Sequence, residues 1–321
     1  MQAMKVLIDM GHPAHVHFFR HAIAELEKRG HSVAVTARDK DVTLKLLEAF
    51  KIPYTVRPDG WRPLNLLMAS RFIAQSARAF GADRLVGVHN PYVAAAGVKL
   101  KKPCVLFTDT PGSKFVNRIS VARVSRVVTP ACLASLFSNQ TTYLGYKEMA
   151  YLHPSRFIPD EGVLARHGLK HGESYFVVRF IEWKAYHDSG VRVMPGAGKN
   201  KLLGYLLKRG RVVACSEGSG PVPEGCIAVK NPEDVHSLLA FSAGYVGEGA
   251  TMAKEAAVLG VPSVYLSPLA LLPPIMEMEK TGAIVRMDLP DPERIGAALD
   301  AKVRRMEMFD VTDVVVRNAL E

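Results

Sequence analysis

Strand-like runs of aliphatic and β-branched residues alternate with helical periodicity throughout this chain, and that alternation constrains the fold more than any other feature. "KVLID" leads into a helix from about His15 to Arg29, stopped by Gly30. "SVAVTA" leads into "DVTLKLLEAF", and "RLVGVH", "CVLFTD" and "RVVTP" continue the series. After a proline-containing stretch it resumes with "YFVVRF", "NKLLGYLLKRG", "RVVACS", "CIAV", "DVHSLLAFS", "GYVGE", "MAKEAAVLG" and "SVYL". Alternation of this kind implies parallel sheets covered by helices on both faces.

The two halves echo each other. "ELEKRGHSVAVTARD" and "YLLKRGRVVACSEGS" both read as helix, Lys-Arg-Gly stop, strand. At 321 residues the chain is long enough for two domains. The expectation is therefore an α/β protein with two Rossmann-like domains, their parallel sheets facing across a cleft. The break falls in "YLHPSRFIPDEGVLARHGLKHGE", which has two prolines and no strand pattern. This gives an N-terminal domain over 1–155 and a C-terminal domain over 156–321, the latter ending in terminal helices.

Hydrophobic residues make up 48 % of the chain, enough to give each half a core. No apolar run approaches the roughly 20 residues of a membrane span. The start, "MQAMKVLIDMGHP", reads as a first buried strand rather than a signal peptide. The four cysteines, Cys104, Cys132, Cys215 and Cys226, form no CxxC pair and read as core residues of a cytoplasmic protein. A net charge of +10 favours anionic partners such as phosphorylated small molecules or a lipid surface. Nucleic acid is the least supported partner, because the charge is dispersed and lacks basic–aromatic alternation. "GWRPLNLLMASRFIAQSARAF" spaces Arg62, Arg71 and Arg78 among apolar residues. It reads as an amphipathic helix, with peripheral membrane contact as the alternative.

The first strand–helix turn, "DMGHPAHVHFFRH", lacks the G-x-G-x-x-G of a dinucleotide site, which argues against an NAD enzyme. It carries His12, His15, His17 and His21 instead. His15, at the opening of a helix, is the candidate general base, since an imidazole titrates near neutral pH. The other histidines read as caps or solvent-facing residues. His17 and His21 share a helix face, but no carboxylate or cysteine stands nearby, so no metal is expected. Asp39-Lys40-Asp41 reads as a capped turn rather than a cation site. Asp109, in "FTDTPGSKFVNR", ends a strand and is a candidate to orient a histidine or bind a hydroxyl, the alternative being plain turn chemistry. "VVRFIEWKAYHDSG" concentrates Arg179, Glu182, Lys184, His187 and Asp188, with Trp183 and Tyr186 able to stack or pack. Arg179 suits phosphate oxygens through its planar fork. Ser216, in "CSEGSG", offers a weaker anion contact.

"GEGATMAKEAAVLGVPSVYL", residues 247 to 266, reads as Gly-rich turn, helix and strand. Thr251 is a cap or first-turn residue, Gly260 fits the position past the helix end, and Pro262 prevents continuation. Thr251 and Glu255 are four apart and share a face. The amino end of such a helix can hold a pyrophosphate, with the carboxylate accepting hydrogen bonds from ribose hydroxyls. The alternative is a capping threonine and a surface glutamate.

The order of these pieces resembles the two-domain glycosyltransferase B superfamily. That group includes the lipid II N-acetylglucosaminyl transferase and the non-hydrolysing UDP-N-acetylglucosamine 2-epimerases. Within it the chain looks like an uncharacterised prokaryotic family, best known from archaea, with a "HVHFFR" start and a "GEGATMAxEAAVLGxP" stretch. The resemblance implies that Glu255 contacts a ribose and that Thr251, with the Gly249 and Ala250 backbone, contacts a diphosphate. "PAHVHFFRHAIAELEKRG" is similar to the Gly-Gly-His loop and helix of the lipid II enzyme, Pro13 and Ala14 replacing the glycines. Asp109 and Asn117 stand where that enzyme has an acidic, asparagine-containing acceptor loop. The Gly-Gly-Ser loop usual in the second domain is replaced by Arg179 to His187, and the His-Arg-x-Glu-Asn signature of the epimerases is absent.

The expected function is metal-independent transfer of a sugar from a nucleotide sugar, a UDP-sugar in the first instance, to a phosphate-bearing or lipid-linked acceptor. The donor is a substrate, and no cofactor is expected. His15 and Asp109 are the catalytic candidates. Arg179, Ser216, Gly249, Ala250, Thr251 and Glu255 are the donor-binding ones. An epimerase, or a non-catalytic nucleotide-sugar-binding protein, is the alternative.

Overall fold

The computed structural model describes residues 2–59, 62–110, 121–133, 137–180, 196–216, 222–267 and 272–321. The chain forms two compact units, one of Met1–Arg156 with Met308–Glu321 and one of Phe157–Glu307.

The first unit runs β1 (Lys5–Met10), α1 (Pro13–Lys28), β2 (Ser32–Arg38), α2 (Thr43–Ala49), β3 (Thr55–Arg57), α3 (Arg62–Phe80), β4 (Arg84–Val88), α4 (Pro91–Leu100), β5 (Cys104–Phe107), β6 (Arg126–Pro130), β7 (Gln140–Tyr143) and α5 (Met149–Leu152). Its sheet has the order β3-β2-β1-β4-β5-β6-β7, and its strands pair in parallel. The strands are apolar on both sides because both faces are covered. On one face Leu7, Leu85, Leu106 and Val127 pack with Ile73 and Ala77 of α3 and Val93 of α4. Near α1, the Phe18 and Phe19 rings meet Phe107 at centroid distances of 5.2 and 6.1 Å.

The second unit runs α6 (Gly162–Arg166), β8 (Tyr175–Phe180), α7 (Gly196–Leu207), β9 (Arg211–Ser216), β10 (Ile227–Ala228), α8 (Val235–Ala240), β11 (Gly244–Gly247), α9 (Ala250–Val258), β12 (Ser263–Leu266), α10 (Pro273–Lys280), β13 (Val285–Met287) and α11 (Pro292–Asp300). Its sheet has the order β10-β9-β8-β11-β12-β13, again with parallel pairing. Phe176, Val178, Val246 and Val264 form its core with Leu202, Leu206, Ile295 and Leu299.

The last helix, α12 (Val311–Leu320), belongs to the first unit and packs on α1. The sequence placed 308–321 with the second domain. Its Val311, Val315 and Val316 stripe states only that one face is buried, not against what. Specific contacts settle the choice: Thr312 Oγ1 donates to the Ala150 carbonyl at 2.6 Å, and Arg156 pairs with Asp310 at 2.8 Å.

In each sheet the strand order runs outward in both directions from a central pair, β1/β4 in the first unit and β8/β11 in the second. Such a reversal opens a crevice at the carboxyl ends of the central strands, where open α/β sheets bind ligands.

Candidate functional site

In the second unit, Arg179 near the end of β8 stands beside Gly247 at the end of β11. The Glu248 amide donates to the Arg179 carbonyl at 2.9 Å, which ties the Gly-rich turn to β8. Gly249 caps α9 with its backbone alone, and the Tyr245 hydroxyl donates to its carbonyl at 3.2 Å. A Cβ at Gly249 would lie 3.1 Å from Arg179 Cδ and 3.5 Å from its Nε, so the arginine stem runs along the first turn of α9. The structure thereby brings Arg179, Gly249, Ala250 and Thr251 to one place. Thr251 occupies the second helical position, and Gly260 follows the helix end at φ 75°. Ser216 ends β9 opposite Phe180, one residue beyond Arg179 on β8.

An ion pair and a thiol lie nearby. Lys199 of α7 pairs with Glu248 at 3.2 Å and lies 5.3 Å from the Phe180 ring centroid. Burial pushes the Cys215 thiol up to about 12, so it is no nucleophile at neutral pH. Glu255 is buried, 5 % exposed, and meets His236 Nε2 of α8 at 3.1 Å. It is therefore not a surface glutamate, and its carboxylate has a fixed orientation one turn below the amino end of α9.

In the first unit, His12 caps α1, its Nδ1 accepting from the Ala14 amide at 3.2 Å. The Gly11 amide donates to His15 Nδ1 at 3.2 Å. A ring nitrogen that accepts carries no proton, so in the neutral ring the proton sits on Nε2. Burial holds the His15 pKa well below the ordinary range, with His12 and Lys147 adding to the effect and Asp109 opposing it. At neutral pH His15 is thus an uncharged N–H donor at Nε2, whereas a general base needs a lone pair there. Asp109 is buried and pairs with Lys147 at 3.1 Å.

Beneath this edge lies a buried network. Asp9 accepts from Thr36 Oγ1 at 2.7 Å and from Asn90 Nδ2 at 2.6 Å, and pairs with Arg57 at 3.1 Å. Burial raises the Asp9 pKa, with Arg57 as the main opposing influence. Asn90 also caps α4, its Oδ1 accepting from the Tyr92 and Val93 amides at 3.0 and 3.1 Å.

His17 is neither a cap nor exposed. It is buried between the rings of Phe50 and Tyr151, at 5.6 and 5.5 Å. His21 is half-buried beside Arg20. Asp41 sits in a surface turn at φ 50°. Among the described residues no three His, Cys, Asp or Glu side chains are grouped to hold a metal ion, and no helix is long and apolar enough to cross a membrane. Asn117, Glu182, Trp183, Lys184, Tyr186, His187 and Asp188 lie outside the described residues. Sequence reasoning missed Lys147, Lys199, His236 and Asn90. Only the last had a local signal, Asn-Pro at a helix start.

A sequence profile described as "Protein of unknown function (DUF354)" matches residues 4–131. The uncharacterized protein MJ0665 of Methanocaldococcus jannaschii is 25 % identical over 297 residues, covering 84 % of this chain and 83 % of that protein. A UDP-GlcNAc 2-epimerase from the same organism, solved in complex with UDP-GlcNAc and UDP, superimposes with a TM-score of 0.71 at 13 % identity over 99 % of both chains. The glycosyltransferase SnogD from Streptomyces nogalater superimposes with a TM-score of 0.60 at 12 % identity, over 99 % of this chain and 100 % of that one. The chain is thus similar to DUF354 proteins over residues 4–131, and its fold is the glycosyltransferase B type shared with UDP-GlcNAc 2-epimerases and glycosyltransferases.

Proposed function

We propose that this protein binds a UDP-sugar at the carboxyl edge of its second sheet and transfers the sugar to an acceptor hydroxyl. The observation that carries this reading is the packing of Arg179 along Gly249, which sets a guanidinium stem beside the amino end of α9, where the glycine cap brings no side chain. A helix amino end carries roughly half a positive charge and free N–H groups. The diphosphate would accept from the Gly249, Ala250 and Thr251 segment and from Arg179, with Ser216 adding a contact. Glu255, held by His236, would accept from the ribose hydroxyls.

Cleavage of the sugar–phosphate bond puts charge on the departing diphosphate, and the helix end and Arg179 would stabilise it without a metal. On the first unit, His15 Nε2 would donate to the acceptor and Asp109 would receive one of its hydroxyls. The net charge of +10 suits a phosphate-bearing acceptor. Leu67 and Met68, exposed on α3, would touch lipid if that acceptor is membrane-anchored.

A second reading, epimerisation of the same donor at C2, is favoured by fold likeness, the TM-score being 0.71 to the epimerase against 0.60 to the transferase. Thermal-shift titration with UDP and UDP-sugars tests the shared part. Ligand at about 100 times its dissociation constant adds about 2.7 kcal/mol. Product analysis separates the rest: with UDP-GlcNAc and no acceptor, a C2 epimer, or UDP with a glycal, identifies an epimerase. Absence of any shift with UDP or UDP-sugars overturns both readings.

A further inference from the structure

We propose that His89 Nε2 is the atom that takes the proton from the acceptor hydroxyl, an inference that rests on the transferase reading above. His89 directly follows β4, one of the two central strands of the first sheet, so it stands at the crevice where the strand order reverses. Its neighbours there are the His15 turn after β1 and the Asp109 turn after β5.

Its proton placement is the reverse of that in His15. Thr108 Oγ1 lies 3.0 Å from the Thr110 carbonyl and 3.1 Å from His89 Nδ1. A carbonyl only accepts, so the Thr108 hydroxyl donates its one proton to Thr110. His89 Nδ1 must then be the donor to Thr108 Oγ1, and the lone pair of the neutral ring is at Nε2. The ring is half-buried, and Nε2 hydrogen-bonds to no described residue; in the proposed step this lone pair meets the substrate. His15 presents a donor and His89 an acceptor, the complement needed to hold and deprotonate one hydroxyl.

The backbone is held for this placement. His89 has φ 42°, a left-handed conformation uncommon for non-glycine residues, though histidine is among those that tolerate it. Its amide donates to the Phe107 carbonyl at 2.8 Å. The next residue, Asn90, is clamped between Asp9 and the first turn of α4. Strain maintained by a buried network is characteristic of functional positions. Burial lowers the His89 pKa, and Asp109, itself paired with Lys147, pulls the other way, so the ring is neutral at pH 7.

In the step, the acceptor O–H proton passes to Nε2 while the acceptor oxygen bonds to the anomeric carbon. The bond from that carbon to the diphosphate oxygen breaks, and its electron pair leaves with UDP. The imidazolium then returns its proton to water.

The test uses full-length protein and release of UDP together with free GlcNAc from UDP-GlcNAc, with water as the default acceptor; UDP released with a glycal instead overturns the transferase reading and this step with it. His89→Asn tolerates the left-handed backbone, and His89→Gly leaves a space for added imidazole. Both should keep the wild-type thermal shift with UDP, because that site lies on the other unit. UDP release should fall by roughly 10²–10⁴-fold. Imidazole should restore part of it in His89→Gly, and the acid limb of the wild-type pH profile should vanish. In wild-type protein, ¹⁵N spectra of the histidine rings, assigned with the variant, should place the His89 proton on Nδ1. UDP release by His89→Asn within threefold of wild type, or a proton on Nε2, overturns the inference. A wild type that neither binds UDP nor releases it overturns the transferase reading itself, and this step with it.

Discussion

Gly247 and Arg179 face each other across β11 and β8, and no space remains between them for a methyl group: a Cβ at Gly247 would fall 2.4 Å from the Arg179 carbonyl oxygen. Two positions on, the same arginine offers Gly249 a different neighbour, the flexible stem at 3.1 Å. The two glycines therefore separate folding from binding. Gly247→Ala should destabilise the protein by about 1–3 kcal/mol through a backbone clash. Gly249→Ala should melt within a few degrees of wild type, yet raise the dissociation constant of UDP about tenfold by displacing Arg179, roughly 1.4 kcal/mol. Thermal melting checks the first and calorimetric titration with UDP the second, and unchanged affinity in Gly249→Ala removes Arg179 from the site.

Glu255 can be examined by separating its charge from its hydrogen bond. Glu255→Ala removes the buried carboxylate that His236 Nε2 meets and should cost about 1–3 kcal/mol. Glu255→Gln keeps an oxygen for His236 and should cost less. Both should lose most of the UDP-induced thermal shift if the carboxylate accepts from the ribose. A wild-type shift in Glu255→Gln would show that the carboxylate serves His236 alone.

The Asp109–Lys147 pair is buried on both sides, so removing one partner takes the countercharge from the other. Lys147→Ala should cost about 3–5 kcal/mol, and the double variant Asp109→Asn/Lys147→Met should recover most of that. Urea unfolding of the set measures the coupling. An additive double variant would mean the pair is screened by solvent.

Stability should fall in mild acid. Burial holds His15, His21 and His89 below the ordinary histidine value of 6.5, His21 at about 4. The unfolded chain therefore takes up protons that the folded chain refuses. The stabilisation is fully present above the unfolded value and is lost as pH drops toward the folded ones. Each group contributes at most about 1.4 kcal/mol per pH unit. Melting at pH 7.5 and 5.0 should show the drop, and His21→Gln, away from the proposed chemistry, should make it shallower by one proton.

The strand–helix alternation, the Gly30 and Gly260 stops and the Gly-rich turn before α9 were legible because each depends on residues close in sequence. Apolar periodicity reports burial, and a glycine at φ 83° or 75° reports a local backbone demand. The pairing of Glu255 with His236 was not legible, since the two stand on different helices. Nor was the return of α12 to the first unit, because an apolar stripe does not name its partner.

The tautomers are the sharpest case. His15 and His89 are the same residue type at the ends of neighbouring strands, yet the Gly11 amide makes one a donor and Thr108 makes the other an acceptor. By itself the sequence determined which segments become strands and helices, and that chemistry-bearing residues cluster at strand ends, since those follow from local preference and burial. The tertiary structure decided which strands lie side by side, which charges meet and where each imidazole proton sits. Those depend on groups distant in sequence approaching within hydrogen-bond range.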